Sequence, residues 1–394
     1  MAPIPRLKPY EGPALFSYGF RPFFLLGSIQ AGLAVLAWVP IFRGELALAS
    51  AFAPQDWHVH EMLFGFLPAV ITGFLLTAIP NWTGRMPLQG VPLMVLVAAW
   101  VAGRIAVTFS AHIGAWPAMA IDLAFLALVA AAAGREIVAG RNWRNLKVLA
   151  VLGLLLVANG IFHVEAMTGS HGEYGIRLGF AATIFLLMLI GGRIVPSFTR
   201  NWLARENPGR LPIPFGRFDV VTLVVSGLAL VVWVAMPEGI VTALLMGLAG
   251  FAQAARLVRW AGERTWRDRL VLILHLAYAF IPLGFWLLAL SAVGYVDDAA
   301  GFHAWAGGAI GAMTLAVMSR ASLGHTGRAL VASRAVQVIY ALVIASALLR
   351  VCASLHPDWH AALIPLAGGA WAAAFLGFAV AYWRIFTGPR YVAG

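Results

Sequence analysis

The side chains in this 394-residue chain best suited to coordination chemistry are its ten histidines. They are unevenly placed. His58, His60, His112, His163, His171, His303, His356 and His360 fall at one end of a series of apolar segments, and only His275 and His325 fall at the other. Imidazoles gathered at one membrane face point to a bound metal or haem, because an ionisable ring in a low-dielectric setting needs a partner. The lone Cys352 excludes disulfides, thiolate zinc sites and covalent C-x-x-C-H haem attachment. Any haem is therefore non-covalent, and any other metal takes imidazole, carboxylate or thioether ligands.

Spacing sorts the candidates. His58 and His60 are two residues apart, so on a helix they point about 160° away from each other. Both can serve one cofactor only if the helix starts after His58, which would leave His58 on an entry segment for copper or a haem propionate. His163 and Met167 share a helix face at i, i+4, and imidazole with thioether is a set that copper accepts. Glu165 points elsewhere and is a candidate proton carrier, as is Glu61. Arg104 pairs either with a haem propionate or with Asp122, and Arg177 is a second candidate cation for a cofactor. Asp122, Asn159 and Glu61 are candidates for a proton path. Against these stand plainer readings: loop histidines that face water, His163 as a polar helix end, and Arg104–Asp122 as a structural ion pair.

The elements that carry these residues are membrane helices. The chain is 61% hydrophobic and 11% charged, with mean hydropathy +0.86, well outside the range of soluble domains. Apolar runs of bilayer-spanning length recur and predict twelve helices: 19–42, 57–80, 90–110, 114–134, 146–168, 174–198, 217–236, 239–259, 269–294, 300–320, 331–354 and 361–385. The expected fold is all-α, a single polytopic domain over 1–394 with no sizeable soluble part. The first helix reads as a retained span, since its apolar run is too long for a signal peptide.

The net charge of +11 is not a nucleic-acid footprint. Lys and Arg concentrate at the termini and after even-numbered helices, whereas only Arg43, Arg177 and Arg350 lie on the other side. That asymmetry puts both termini in the cytoplasm. The histidine-rich face is then the outer one, periplasmic for a bacterial inner membrane.

An internal repeat aligns the second helix with the tenth without a gap. His60 falls on His303, Gly65 on Gly308, Ala69 on Ala312, and Thr83-Gly84-Arg85 on Thr326-Gly327-Arg328. The end of the sixth helix matches more weakly, which suggests three four-helix units, 1–134, 135–259 and 260–394. Histidines at one depth on two equivalent helices suit the axial positions of a b-type haem, so His60 and His303 are its expected ligands. Haem–copper oxidase catalytic subunits hold low-spin haem on helices two and ten in this way. The resemblance is architectural only, because the seventh helix here has no histidine.

Several strings resemble the NnrS family of bacterial membrane proteins: Phe16-Ser-Tyr-Gly-Phe-Arg-Pro-Phe-Phe24, Trp57-His-Val-His-Glu-Met-Leu-Phe-Gly-Phe66, Pro80-Asn-Trp-Thr-Gly-Arg85, the Gly191–Trp202 run and Arg320-Ala-Ser-Leu-Gly-His-Thr-Gly-Arg328. The resemblance covers almost the whole chain. It implies haem and copper and a role linked to nitric oxide, and it assigns no catalytic residue. Three functions stay open: a haem/copper oxidoreductase fed by an unknown electron donor and reacting with nitric oxide at the periplasmic side, a non-enzymatic nitric-oxide-binding or protective protein, and a metal or haem transporter.

Overall fold

The computed structural model describes residues 10–170 and 173–389. Arg6, Lys8, His171 and Arg390, which entered the sequence reading, lie outside these. The described residues are helical with no strand, and twelve helices are long and apolar enough to cross a membrane. They are α1 (Phe20–Phe42), α2 (Pro54–Thr83), α3 (Val91–Thr108), α4 (Ala115–Ala139), α5 (Leu146–Thr168), α6 (Glu173–Glu206), α7 (Arg217–Ala235), α8 (Ile240–Val258), α9 (Arg269–Ser291), α10 (Asp298–His325), α11 (Arg334–Leu355) and α12 (His360–Thr387). This is a multi-pass membrane protein.

Helix starts follow from side-chain capping. Asp268 accepts from the N–H of Leu270 (2.9 Å) and Val271 (3.3 Å), Asp297 from Ala299 (2.8 Å), and Ser333 from Val336 (3.3 Å). Each satisfies amides that the first turn leaves unpaired. Two helices are not α-helical throughout. In α2 the segment Glu61–Phe66 is π-helical, and in α10 so is Ala304–Ala312. In both, the π stretch begins at the residue after a histidine, His60 or His303. Such stretches mark local departures from regular hydrogen bonding and are common at functional sites. In α2 the indole N–H of Trp100 donates to the Gly65 carbonyl within the π stretch (2.9 Å).

The chain forms two compact units. The first takes residues up to Gly179, Ala321–Arg328 and the segment from Phe378; the second takes Phe180–Arg320 and Ala329–Gly377. In the first unit the aromatic run opening α1 is core: Phe20, Phe23 and Phe24 are buried. Arg21, one of the cations near the N-terminus that make up the charge asymmetry, is buried as well. Its guanidinium donates to the carbonyls of Phe386 (3.0 Å) and Gly388 (2.6 Å). It thereby caps the C-terminal end of α12, where a cation suits the helix dipole.

The second unit holds a buried polar network that sequence reasoning did not anticipate. Arg256 on α8 is fully buried, not an anchor at the surface. It donates to Asp219 Oδ1 on α7 (2.9 Å), to the Met188 carbonyl (2.9 Å) and to Tyr278 Oη on α9 (3.1 Å). Tyr278 donates onward to Gln253 Oε1 (2.7 Å), and Gln253 Nε2 donates to Ser226 Oγ (2.8 Å). Asp219 also accepts from the Gly216 amide (3.0 Å), closing the first turn of α7. Gly192 leaves the space that the guanidinium occupies, since a Cβ there would collide with it.

Candidate metal centre

Four helices of the first unit bring buried polar groups to one point. α2 supplies His60 and Glu61, α3 Arg104, α4 Asp122, and α5 Asn159 and His163, all buried. The contributing ends of these helices adjoin the segments 43–53 and 109–114 and the end of α5. Asp122 is the hub. Its Oδ2 lies 3.2 Å from His60 Nε2 and 3.2 Å from His163 Nε2, and it accepts from Asn159 Nδ2 at 2.7 Å. Its other oxygen is bound by Arg104 Nη2. Arg104 Nη1 donates to Glu61 Oε1 (2.5 Å), and Gln30 on α1 donates to Glu61 Oε2 (2.8 Å). Asn159 Oδ1 completes the ring, 3.0 Å from His60 Nε2.

Gly65 permits this convergence. It stands one turn past Glu61, and a Cβ there would overlap the Arg104 guanidinium. The Arg104–Asp122 pair expected from sequence is present, and Asp122, Asn159 and Glu61 do share one network. His60 and His163 are also brought together, with ring centroids 4.9 Å apart. The sequence had offered them different partners.

The remaining candidates are placed elsewhere. α2 starts at Pro54, so both His58 and His60 lie on the helix and diverge as the periodicity requires: His58 stacks on Trp38 of α1, centroids 4.6 Å apart and planes 11° apart. Met167 is half-buried one turn beyond His163. Glu165 accepts from the Tyr174 (3.0 Å) and Gly175 (2.9 Å) amides and so caps the start of α6. Arg177 lies 3.7 Å from Glu173 and over the Tyr174 ring. His112 and His356 are exposed, and His360 is half-buried. His303 belongs to the second unit, half-buried, with its Nδ1–H donated to the Ala299 carbonyl (2.7 Å). That bond fixes the tautomer in which Nε2 carries the lone pair, the arrangement usual for metal-ligating histidines.

The chemistry of the first-unit cluster is that of a small cation site. One ligating atom each from His60, Asp122 and His163 lie within 4.8 Å of one another. Ligand atoms around a tetrahedral ion with bonds of about 2.0–2.1 Å stand roughly 3.3 Å apart, close to the 3.2 Å separations from Asp122 Oδ2. Two carboxylates against one guanidinium leave a buried negative charge when both are ionised and the imidazoles neutral, and such a charge is costly without a counter-cation. His163 Nδ1 is buried without a hydrogen-bond partner, and His60 Nδ1 faces Glu61 Oε1 at 3.5 Å.

A family model described as NnrS protein matches residues 14–390. The chain belongs to the NnrS family. Membership fits a role related to nitric oxide, and the family is associated with haem and metal. No curated protein matches the chain. Of the strings that resemble NnrS proteins, Trp57–Phe66 supplies two cluster residues and the glycine that admits Arg104, and Phe16–Phe24 supplies the cap on α12. Gly191-Gly192 provides the gap for Arg256. Gln30 and the aromatic rings around the imidazoles were not found from sequence, because neither residue type carries a signal of its own in an apolar helix.

Proposed function

We propose that this NnrS-family chain is a bacterial inner-membrane metalloprotein that reacts with nitric oxide, and that His60, His163 and Asp122 hold copper near its periplasmic face, with both termini cytoplasmic. The observation that carries the reading is the spacing of the three buried ligands beside two carboxylates that share one guanidinium. A copper ion would offset the carboxylates' charge, and two imidazoles are ligands that copper accepts. When bound, the ion supplies a coordination site for a small uncharged diatomic ligand.

The protein's own residues do the rest. Asn159 orients Asp122 and His60, Arg104 holds both carboxylates in place, and Glu61, bridged to Gln30, is positioned to hold a proton beside the His60 ring. Nitric oxide reduction consumes one proton and one electron per molecule (2 NO + 2 H⁺ + 2 e⁻ giving N₂O + H₂O), so a buried carboxyl beside the metal suits an oxidoreductase. The electrons would come from a separate donor. A b-type haem belongs in the same reading with His303 as an axial ligand. His60 turns its Nε2 into the cluster, which favours a small ion over a porphyrin at that residue.

The full burial of all three ligands supports a second reading, that the protein binds or traps nitric oxide without turnover. Elemental analysis of untagged protein, with optical spectra of the reduced form before and after nitric oxide, tests the proposal. Stoichiometric copper that is lost in His60→Gln and His163→Gln, with haem retained, is the expected result. Wild-type protein free of copper would overturn it. Steady consumption of nitric oxide with a chemical reductant separates enzyme from trap.

A further inference from the structure

Resting on the metal reading above, the geometry points to Phe52 as the residue that restricts which ligands reach the His60–His163 centre: a ring seal, held by a two-serine latch, that passes a diatomic molecule and excludes larger or charged ones.

Three phenyl rings enclose the two imidazoles among the described residues. Phe64 (5.6 Å) and Phe162 (5.4 Å) lie near His60 and come from α2 and α5. Phe52 comes from the segment before α2, and it alone touches both, 5.3 Å from His60 and 5.1 Å from His163. It also packs edge-on against Phe162 at 5.5 Å. Phe64 and Phe162 are fixed by their helices, so the ring that can leave without unwinding a span is Phe52. The ring is buried although its segment joins two helices across an end of the bundle.

The backbone that carries Phe52 is tied to the end of α3. The Ser50 hydroxyl donates to the Val107 carbonyl (2.8 Å) and lies 3.0 Å from Ser110 Oγ. The Ala51 N–H donates to Ser110 Oγ (2.8 Å), the Ala111 N–H donates to the Ala49 carbonyl (3.1 Å), and the Phe52 N–H donates to Ser50 Oγ (3.2 Å). Each such bond is weak on its own once its exchange with water is counted. The latch is therefore strong enough to hold the ring closed most of the time and weak enough to open locally. A sealed apolar cover suits a neutral diatomic ligand, which crosses apolar packing readily, and penalises anions and hydrated cations.

The test measures access to the two imidazoles in full-length protein stripped of metal by a chelator. Diethyl pyrocarbonate labels accessible histidines, and mass spectrometry resolves the peptides carrying His60 and His163 from those carrying exposed His112 and His356. In wild type, His60 and His163 are expected to label at least tenfold more slowly than His112. Phe52→Ala should raise their rate at least tenfold and leave His112 and His356 unchanged. Ser50→Ala with Ser110→Ala should give a smaller rise, and Phe52→Trp none.

Equal labelling of the buried and exposed histidines in wild type would overturn the seal, as would a Phe52→Ala rate unchanged from wild type. If Phe52→Ala fails to fold, Phe52→Leu and the serine pair carry the same comparison. Wild-type protein that binds no copper defeats the metal reading but does not alter the labelling result, so the two failures are distinguishable. With copper bound, infrared spectra should show carbon monoxide binding in wild type but tert-butyl isocyanide only in Phe52→Ala. The same ratio of the two ligands in both proteins would also overturn the proposal.

Discussion

Both units bury an arginine against a glycine and pair it with an aspartate from an adjacent helix: Arg104 with Asp122 beside Gly65, and Arg256 with Asp219 beside Gly192. The surroundings then diverge. Around Arg256 the partners are a carboxylate, a phenol, an amide and a backbone carbonyl, and the carboxylate is matched by Arg256 and, at 3.9 Å, by half-buried Arg259. Around Arg104 there are two carboxylates and two imidazoles, with His60 Nδ1 3.5 Å from Glu61 and His163 Nδ1 without a hydrogen bond. A carboxylate matched by cations in this way holds helices together, whereas two buried carboxylates sharing one guanidinium beside two imidazoles favour a bound cation. That difference is the ground for proposing a metal in one network and not in the other.

The largest effects should come from removing the arginines. Arg104→Met and Arg256→Met each remove the nearest cation from a buried carboxylate and should cost about 3–5 kcal/mol of stability, read as the unfolding midpoint in detergent. Added copper should restore Arg104→Met in part and leave Arg256→Met unchanged. Equal rescue of both would erase the distinction drawn here.

Replacing ligands comes next. His60→Gln, His163→Gln and Asp122→Asn should each bring copper content close to zero. Asp219→Asn in the other network should leave it at the wild-type level, as elemental analysis would show. Asn159→Ala, which removes a group orienting two ligands, should weaken copper affinity about 10–100-fold in a competition titration with a copper(I) chelator. The smallest effect belongs to Tyr278→Phe, which deletes hydrogen bonds in the Arg256 network. It should cost roughly 1 kcal/mol with copper content unaltered, and a fall in copper would mean the second network supports the first.

The twelve spans were legible because hydropathy over bilayer-length windows is a strong one-dimensional signal, and the observed helices match the predicted ranges within a few residues at most ends. Arg104, Asp122, Glu61 and Asn159 were legible for the same reason, as polar residues stranded in apolar runs. The pairing of His60 with His163 was not. It depends on how α2 and α5 rotate against each other, which periodicity within either helix does not fix. His163 was read with Met167 because they share a helix face, yet its ring turns to Asp122 on another helix.

Arg256 entered the charge asymmetry only as one of the cations at the end of an even-numbered helix. The cue that it is buried was present in Gln253, three residues earlier on the same face of an otherwise apolar helix. The π stretches after His60 and His303 have no sequence signature, and Phe52 was invisible because a phenylalanine between two helices is unremarkable until the rings around it are known.

The bonds from Arg21 to Phe386 and Gly388 have a consequence for the order of assembly. They join residues that lie 365 and 367 positions apart, with the second unit's sequence between them. α1 can enter the membrane early, but its buried guanidinium cannot meet its acceptors until α12 has been made. The packing of α1 against the end of α12 therefore forms only after α2–α11 have been synthesised. The cluster of His60, Asp122 and His163 is free of that delay, since its residues all precede the second unit in the sequence.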